Sequence, residues 1–128
     1  MIVGAGEESR RRAGEKLEKE FPNVDLKISE TNIDISKKDE ESSLKLNEEI
    51  NSFGPAILFV AFGAPNQERW IYENLELLSS VKLAIGIGGA IDMISGKLPR
   101  APRLMRKIGL EWLWRLIKRP KRHFKRYV

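Results

Sequence analysis

The stretch that decides the fold is AILFVAFGAPNQE, residues 56–68. Its first six residues are all apolar, which is typical of a strand buried on both faces of a parallel sheet. Gly63-Ala64-Pro65 then turns the chain, and Pro65 suits the first turn of a helix, which we expect to continue to about Leu78. The stretch therefore predicts a strand that leads directly into a helix, the repeating unit of an α/β protein.

The segments on either side continue this alternation. We predict a helix from Glu7 to Glu20, another over residues 41–52, and a second buried strand over residues 81–87. Together these elements predict an α/β fold over residues 1–97, with a parallel Rossmann-like sheet, flanking helices and right-handed crossovers. Less distinct segments are a short apolar start at residues 1–3, an alternating edge strand at residues 24–28 and a polar loop at residues 29–40. The expected helical core contacts are Ala13, Leu17, Phe21, Leu44, Leu46, Ile50, Trp70, Ile71, Leu75 and Leu78.

Residues 98–128 differ in character from this body and predict a basic helical appendage. Residues 1–96 contain 11 Lys/Arg and 17 Asp/Glu, a net charge of −6, whereas residues 97–128 contain 12 Lys/Arg and one acid, a net charge of +11. We expect short helices over residues 103–107 and 110–119. A basic end on an acidic body predicts contact with an anion, such as a nucleotide phosphate, a lipid head group or nucleic acid.

Aromatic residues are interleaved with these basic residues. Trp112, Phe124 and Tyr127 suit a membrane interface, and stacking aromatics with positive charge equally suit single-stranded nucleic acid. Trp114 lies on an apolar helical stripe with Leu110, so we expect it to be a core residue. The composition leaves both anionic partners open.

Several classes of site are excluded by composition. The chain has no cysteine and a single histidine, His123, which rules out disulfides, thiolate chemistry and a histidine-rich metal site. We therefore expect neither a metal nor a cofactor. No apolar run approaches the roughly 20 residues that span a bilayer, and the first residues lack the pattern of a signal peptide. The expected location is cytoplasmic.

Polar and glycine residues follow both predicted buried strands. Ligands of open α/β sheets collect at the carboxyl ends of the strands, where Gly63, Asn66 and Gln67 are expected to lie. Simple capping of the next helix explains this motif equally well, with Asn66 satisfying free amides of the helix start and Glu68 complementing the helix dipole. Gly86-Ile87-Gly88-Gly89 would let a ligand approach the backbone of the next strand end, and Asp92 is interpreted first as a turn or cap acid.

A third glycine turn, Gly4-Ala5-Gly6, invites comparison with a dinucleotide-binding fingerprint. The third glycine of that fingerprint is replaced by Ser9, and the acid expected at the next strand end could only be Glu30, which lies past it. A plain tight turn is therefore the favoured interpretation.

Taken together, four segments resemble the WecG/TagA/CpsF family of glycosyltransferases. The resemblance covers residues 54–119, with residues 1–53 fitting the preceding βαβ portion more loosely. It is carried by the run from Ile57 to Ile71, by Ala84-Ile85-Gly86-Ile87-Gly88-Gly89-Ala90-Ile91-Asp92, by Ser95-Gly96-Lys97 with Arg100-Ala101-Pro102, and by Gly109-Leu110-Glu111-Trp112-Leu113-Trp114-Arg115-Leu116.

The resemblance implies an inverting transfer, without an obligatory metal, of N-acetylmannosamine or a related hexosamine from UDP. The implied acceptor is a sugar on polyprenyl diphosphate, in teichoic acid or other cell-surface polysaccharide synthesis. Residues 1–97 would be the donor-nucleotide half domain, with Gln67 in the donor pocket, beside Asn66, Gly63, Gly88, Gly89 and Asp92. The basic segment would meet phosphate or lipid at the inner face of the membrane, through Arg100, Arg103, Arg106, Arg115, Arg119 and Arg122.

The chain also departs from the family pattern. Family members are longer at the N-terminus, and the proposed catalytic aspartate belongs to that portion, so no catalytic residue is assigned here. We expect a chain that is truncated and inactive alone, with a homo-oligomer or a complementing N-terminal half as possible partners. The alternative prediction is a non-catalytic module that binds anionic membrane or nucleic acid.

Overall fold

A computed structural model describes residues 1–37 and 39–118. The chain divides into two compact units, Met1–Leu98 and Pro99–Val128. The first unit is α/β, as predicted, and is built on three parallel strands: β1 (Ile2–Gly4), β2 (Ile57–Ala61) and β3 (Leu83–Gly86). Their order in the sheet is the same as in the sequence, so β2 lies at the centre.

Four helices surround this sheet: α1 (Glu7–Glu20), α2 (Glu40–Phe53), α3 (Asn66–Asn74) and α4 (Ala90–Ile94). Short 3-10 turns occur at Ile35–Lys37 and Leu75–Leu77. Local sequence fixes the ends of α2. The Asp39 side chain caps its first turn by accepting from the Ser42 amide at 3.1 Å, and Gly54 ends it in a left-handed conformation that favours glycine.

The two faces of the sheet have separate apolar cores. On one face, Leu58 and Val60 of β2 pack with Leu46 and Ile50 of α2 and with Trp70 of α3. On the other face, Ile2 and Ala61 pack with Ala13 of α1 and Ile91 of α4. Because side chains alternate along a strand, β1 and β2 each contribute to both cores.

The prediction that β2 and β3 are buried on both faces is wrong. Ile57, Leu83 and Ile85 are 45%, 50% and 37% exposed. The physical reason is that α1 and α4 cover the second face over β1 and near the carboxyl end of β2, and leave the beginning of β2 and β3 open to solvent.

Several smaller predictions also need correction. The edge strand at residues 24–28 is reduced to one bridge between Ile28 and Ile2, because β1 offers a partner of only three residues. Leu44 is exposed because it lies on the outer side of α2, whose inner side carries Leu46 and Ile50. The predicted helix to Leu78 ends at Asn74 and continues as a 3-10 turn, and α4 and the turn at Ile35–Lys37 were not predicted. Phe21 and Leu75, expected in the core, are 50% and 40% exposed because each lies at the end of its helix.

The second unit contains α5 (Arg103–Lys107) and α6 (Glu111–Lys118), close to the two short helices that the sequence predicts. Gly109 joins them with φ of +73°, and Trp114 is held by a 3.0 Å hydrogen bond from its Nε1 to the Pro99 carbonyl. The Lys118 Nζ lies 4.9 Å from the centre of the Trp114 ring. Across residues 1–37 and 39–118, no helix is long and apolar enough to cross a membrane.

Candidate functional site

The carboxyl ends of β2 and β3 are joined by the side chain of Gln67. This residue lies in the first turn of α3 and is only 5% exposed. Its Oε1 accepts a hydrogen bond from the Gly88 amide at 2.9 Å, and its Nε2 donates to the Glu68 carboxylate at 2.8 Å. Gln67 therefore holds the loop after β3 against the start of the helix that follows β2.

The last residue of β3, Gly86, makes room for this contact. A Cβ placed on Gly86 would lie 2.6 Å from the Gln67 Nε2 and 2.8 Å from its Cδ, far closer than carbon atoms pack. Gly88, the hydrogen-bond donor, has φ of +48°, which a side chain would strain. Gly86 thus permits a close approach of Gln67 to the backbone.

The turn before α3 presents the other predicted residues. Gly63 has φ of +79°, the Ala64–Pro65 peptide bond is cis, and the Gly63 carbonyl accepts from the Gln67 amide at 3.0 Å. Asn66 is exposed at the beginning of α3, and Gly89 is exposed before α4. The structure thus places Gly63, Asn66, Gln67, Gly88 and Gly89 at the carboxyl edge of β2 and β3.

Asp92 has a different setting. It lies in α4, on the opposite face of the sheet from α3, and its Oδ1 accepts a 2.8 Å hydrogen bond from Ser9 of α1. Ser9 is itself buried. The hydrogen bond that holds the Asp92 carboxylate therefore ties α4 to α1 rather than to Gln67.

The turn after β1 is organised by Arg10, which sequence reasoning missed. The guanidinium is buried and donates from Nη1 to the carbonyls of Gly4 and Ala5, both at 3.3 Å, and from Nη2 to Asn32 at 2.5 Å. Burial lowers the pKa of this guanidinium from its ordinary value. A signal was available, because Arg10 precedes Ala13 by three residues and therefore lies on the apolar stripe of α1.

Carboxylates dominate the start of α1, which supports the plain-turn interpretation of Gly4-Ala5-Gly6. Glu7 and Glu8 lie in the first turn of α1, where a phosphate would otherwise be attracted to the helix end.

The loop that follows Ile28 is ordered by Glu49, which accepts hydrogen bonds from the Ser29 hydroxyl at 2.8 Å and the Glu30 amide at 2.9 Å. Burial opposes ionisation of Glu49, but these bonds and those from Thr31 prevail and lower its pKa.

The profile of the glycosyl transferase WecG/TagA/CpsF family matches residues 1–128. The chain belongs to this family. The match includes residues 1–53, where the resemblance in sequence is looser, and it confirms the family predicted from the strand-end motifs.

Curated relatives carry the name N-acetylglucosaminyldiphosphoundecaprenol N-acetyl-beta-D-mannosaminyltransferase. The protein of Staphylococcus aureus strain MRSA252 is 31% identical over 117 residues, which are 91% of this chain and 43% of the relative. Those of the NCTC 8325 and COL strains are 30% identical over the same lengths. The chain thus spans less than half the length of the WecG/TagA/CpsF proteins that it matches.

The predicted phosphate-binding or lipid-binding arginines of this family member lie in the second unit. Arg100, Arg103 and Arg106 are exposed there, the last two on α5. The backbone of Arg115 belongs to α6, whereas Arg119 and Arg122 lie outside the described residues. Among the residues that the structure describes, no group of three or more His, Cys, Asp or Glu side chains could hold a metal ion.

Proposed function

We propose that this chain provides the donor-binding portion of a glycosyltransferase. The transfer would move N-acetylmannosamine or a related hexosamine from UDP to a sugar carried on polyprenyl diphosphate. The observation that supports this proposal best is the arrangement of Gln67, Gly86 and Gly88 at the carboxyl edge of two parallel strands, where α/β proteins bind their ligands. The names of the Staphylococcus aureus relatives support the choice of sugar and acceptor.

Gln67 is suited to two tasks at this edge. An amide side chain has two N–H donors and two acceptor lone pairs. The hydrogen bonds of Gln67 engage one acceptor site with the Gly88 amide and one donor with Glu68. The remaining capacity would serve a hydroxyl or carbonyl of the nucleotide in the UDP-sugar donor, while the existing bonds keep the glycine loop open for that nucleotide.

The transfer itself needs more than this pocket. In an inverting reaction the acceptor hydroxyl attacks the anomeric carbon, the bond from that carbon to the UDP oxygen breaks, and a general base takes the hydroxyl proton. We propose that the base comes from the part of the WecG/TagA/CpsF proteins outside the matched stretch, as the 43% coverage of the relative allows. The 128-residue chain alone would then bind UDP and leave UDP-N-acetylmannosamine unconverted.

Titration of the purified chain with UDP tests this function. The substitution Gln67→Ala removes the hydrogen bond to the Gly88 amide and the unused donor and acceptor sites of the Gln67 side chain. We therefore expect UDP affinity to fall about tenfold, which corresponds to about 1.4 kcal/mol. Asn51→Ala is the matched control, since that exposed amide on α2 binds the Leu77 carbonyl, away from the strand ends. Unchanged UDP affinity in a folded Gln67→Ala variant would refute the proposed pocket.

A second role, reversible binding to anionic membrane at the cytoplasmic face, is favoured by α5. Arg103 and Arg106 are exposed on this helix together with Leu104, which is 71% exposed, and Ile108 directly after it is 58% exposed. Charged and apolar side chains on one short segment suit a lipid interface, and each basic residue contributes about 1 kcal/mol near an anionic surface.

Vesicle sedimentation of the whole chain tests this second role. Arg103→Gln with Arg106→Gln removes two charges, so binding to anionic vesicles should fall by about thirtyfold, the equivalent of about 2 kcal/mol. Arg11→Gln with Arg12→Gln removes the same charge from exposed positions on α1 and should have little effect. Tight binding to single-stranded DNA without binding to vesicles would favour the nucleic-acid alternative.

A further inference from the structure

One face of the sheet exposes a continuous row of apolar side chains. Ile57 pairs in register with Leu83, and Phe59 pairs with Ile85. Since residues two apart along a strand project to the same side, these four residues share one face, which we name the open sheet face. Three of them are between 37% and 50% exposed, and Phe59 is half-buried.

The open sheet face continues into an apolar groove. The groove has a volume of about 320 Å³, and every residue that lines it is apolar. Phe59 is shared between the two, Leu17 and Phe21 of α1 form one wall, and Ile91 and Ile94 of α4 form another. A cavity of roughly 150 Å³ already accommodates a benzene ring, so this groove has space for two or more large apolar side chains.

Sheet architecture indicates what covers such a face. Parallel sheets have helices on both faces, because their strands are apolar on both sides. Here α2 and α3 pack on one face, whereas α1 and α4 cover only part of the other. β3 is also an edge strand within the described residues, so the uncovered region lies at the outer side of the sheet. A further amphipathic helix would complete the layer.

The lengths of the relatives indicate which part of the polypeptide could contain this helix. The matched stretch makes up 43% of the Staphylococcus aureus protein, so more than half of that polypeptide lies outside it. We propose that the open sheet face and its groove bind an amphipathic helix from that outer portion of the WecG/TagA/CpsF polypeptide. This proposed interface rests on family membership. It rests on the proposed function in one respect only, since the same outer portion would bring the general base.

Cysteine labelling tests the interface directly. The chain contains no cysteine, so Leu83→Cys and Leu44→Cys each introduce a single thiol at an exposed leucine, the first on the open sheet face and the second on the outer side of α2. Alkylation rates are measured in the 128-residue chain and in a chimera. In the chimera this chain replaces the matched stretch of the Staphylococcus aureus relative, whose remaining cysteines are changed to serine.

We expect the thiol of Leu83→Cys to react at least tenfold more slowly in the chimera than in the chain alone, and that of Leu44→Cys to react at similar rates in both. Equal rates for Leu83→Cys in the two proteins would overturn the proposal. Slow, concentration-dependent labelling in the chain alone would also overturn it, because a second copy would then cover the face. Protection conferred by vesicles but not by the chimera would assign the groove to lipid instead.

A second variant covers the case in which a cysteine disturbs the strand. Leu83→Glu should lower the Tm of the chimera by more than it lowers the Tm of the chain alone, whereas Leu44→Glu should have the same effect in both. Equal Tm losses for Leu83→Glu would contradict the interface. Neither measurement involves a sugar, so protection of Leu83→Cys without UDP binding would retain the interface and refute the proposed function.

Discussion

The substitution Gly86→Ala tests the close contact between Gln67 and the backbone of β3, on which the candidate site depends. The added Cβ would lie 2.6 Å from the Gln67 Nε2, 2.8 Å from its Cδ and 3.0 Å from its Cγ. The side chain cannot simply swing aside, because it is 95% buried and is fixed by hydrogen bonds to the Gly88 amide and to Glu68. The variant must therefore displace Gln67 and break the bond that holds the loop after β3.

The size of the effect follows from two contributions. A hydrogen bond of this kind contributes about 1 kcal/mol, and overpacking a close contact costs about 1–3 kcal/mol. Since moving Gln67 relieves part of the overlap, we expect a loss of about 2 kcal/mol in the free energy of unfolding. For a domain of 60–100 residues, 1 kcal/mol shifts the Tm by about 4–8 °C, so the Tm should fall by about 10 °C.

Urea unfolding followed by circular dichroism measures this loss, with Gly89→Ala as the matched control. Gly89 has φ of −77° and a Cβ there would meet nothing within 4 Å, so alanine should change the free energy of unfolding by less than about 0.5 kcal/mol. In the Gln67→Ala background, Gly86→Ala should cost much less than it does alone. If Gly86→Ala is as neutral as Gly89→Ala, or if its cost is the same in both backgrounds, the reasoning about this contact is refuted.

The remaining predictions concern a carboxylate, a buried amide pair and catalysis. Glu49 has a lowered pKa, so its contribution to stability is present above the unfolded pKa and is lost as the pH falls through the folded one. Glu49→Gln should therefore lower the free energy of unfolding by about 1–2 kcal/mol at pH 7 and by less at pH 3, and equal losses in urea titrations at both pH values would contradict this. Asn74→Ala should lower the free energy of unfolding by about 1–3 kcal/mol in the same assay, because Asn47 donates to the Asn74 Oδ1 at 2.8 Å in the buried contact between α2 and α3. A smaller loss than that of the exposed variant Asn51→Ala would argue against this reasoning. UDP-N-acetylmannosamine should persist when incubated with the 128-residue chain and a polyprenyl-diphosphate-linked acceptor, and release of UDP above the rate without acceptor would show that the general base lies within this chain.

Strong local patterns were sufficient to predict the main elements of the fold. The helix from Glu7 to Glu20 was predicted with the bounds that the structure shows, since helix formers fill it and Pro22 follows closely. The parallel pairing of β2 and β3 followed from apolar runs separated by a helix. The exposure of Leu83 and Ile85 could not be predicted, because an apolar strand has the same sequence whether its covering helix is present or not.

The candidate site was predictable only in position. Glycines and amides after two predicted strands indicated one edge of the sheet, and the structure places Gln67, Gly63 and Gly88 at that edge. The partners of these residues depend on long-range contacts that no local pattern encodes, such as the hydrogen bond from Gly88 to Gln67. For the same reason the sequence could not show that the Asp92 carboxylate accepts a hydrogen bond from Ser9 of α1.

The charges at this edge restrict how a nucleotide sugar could bind. Each helix that begins there has an acidic residue in its first turn: Glu7 and Glu8 in α1, Glu68 in α3 and Asp92 in α4. These carboxylates offset the positive helix ends that would otherwise attract a diphosphate. Gln67 and the glycine amides can select neutral groups by hydrogen bonding but supply no positive charge. Under the proposed function, a diphosphate bound at this edge would therefore need positive charge to offset these carboxylates.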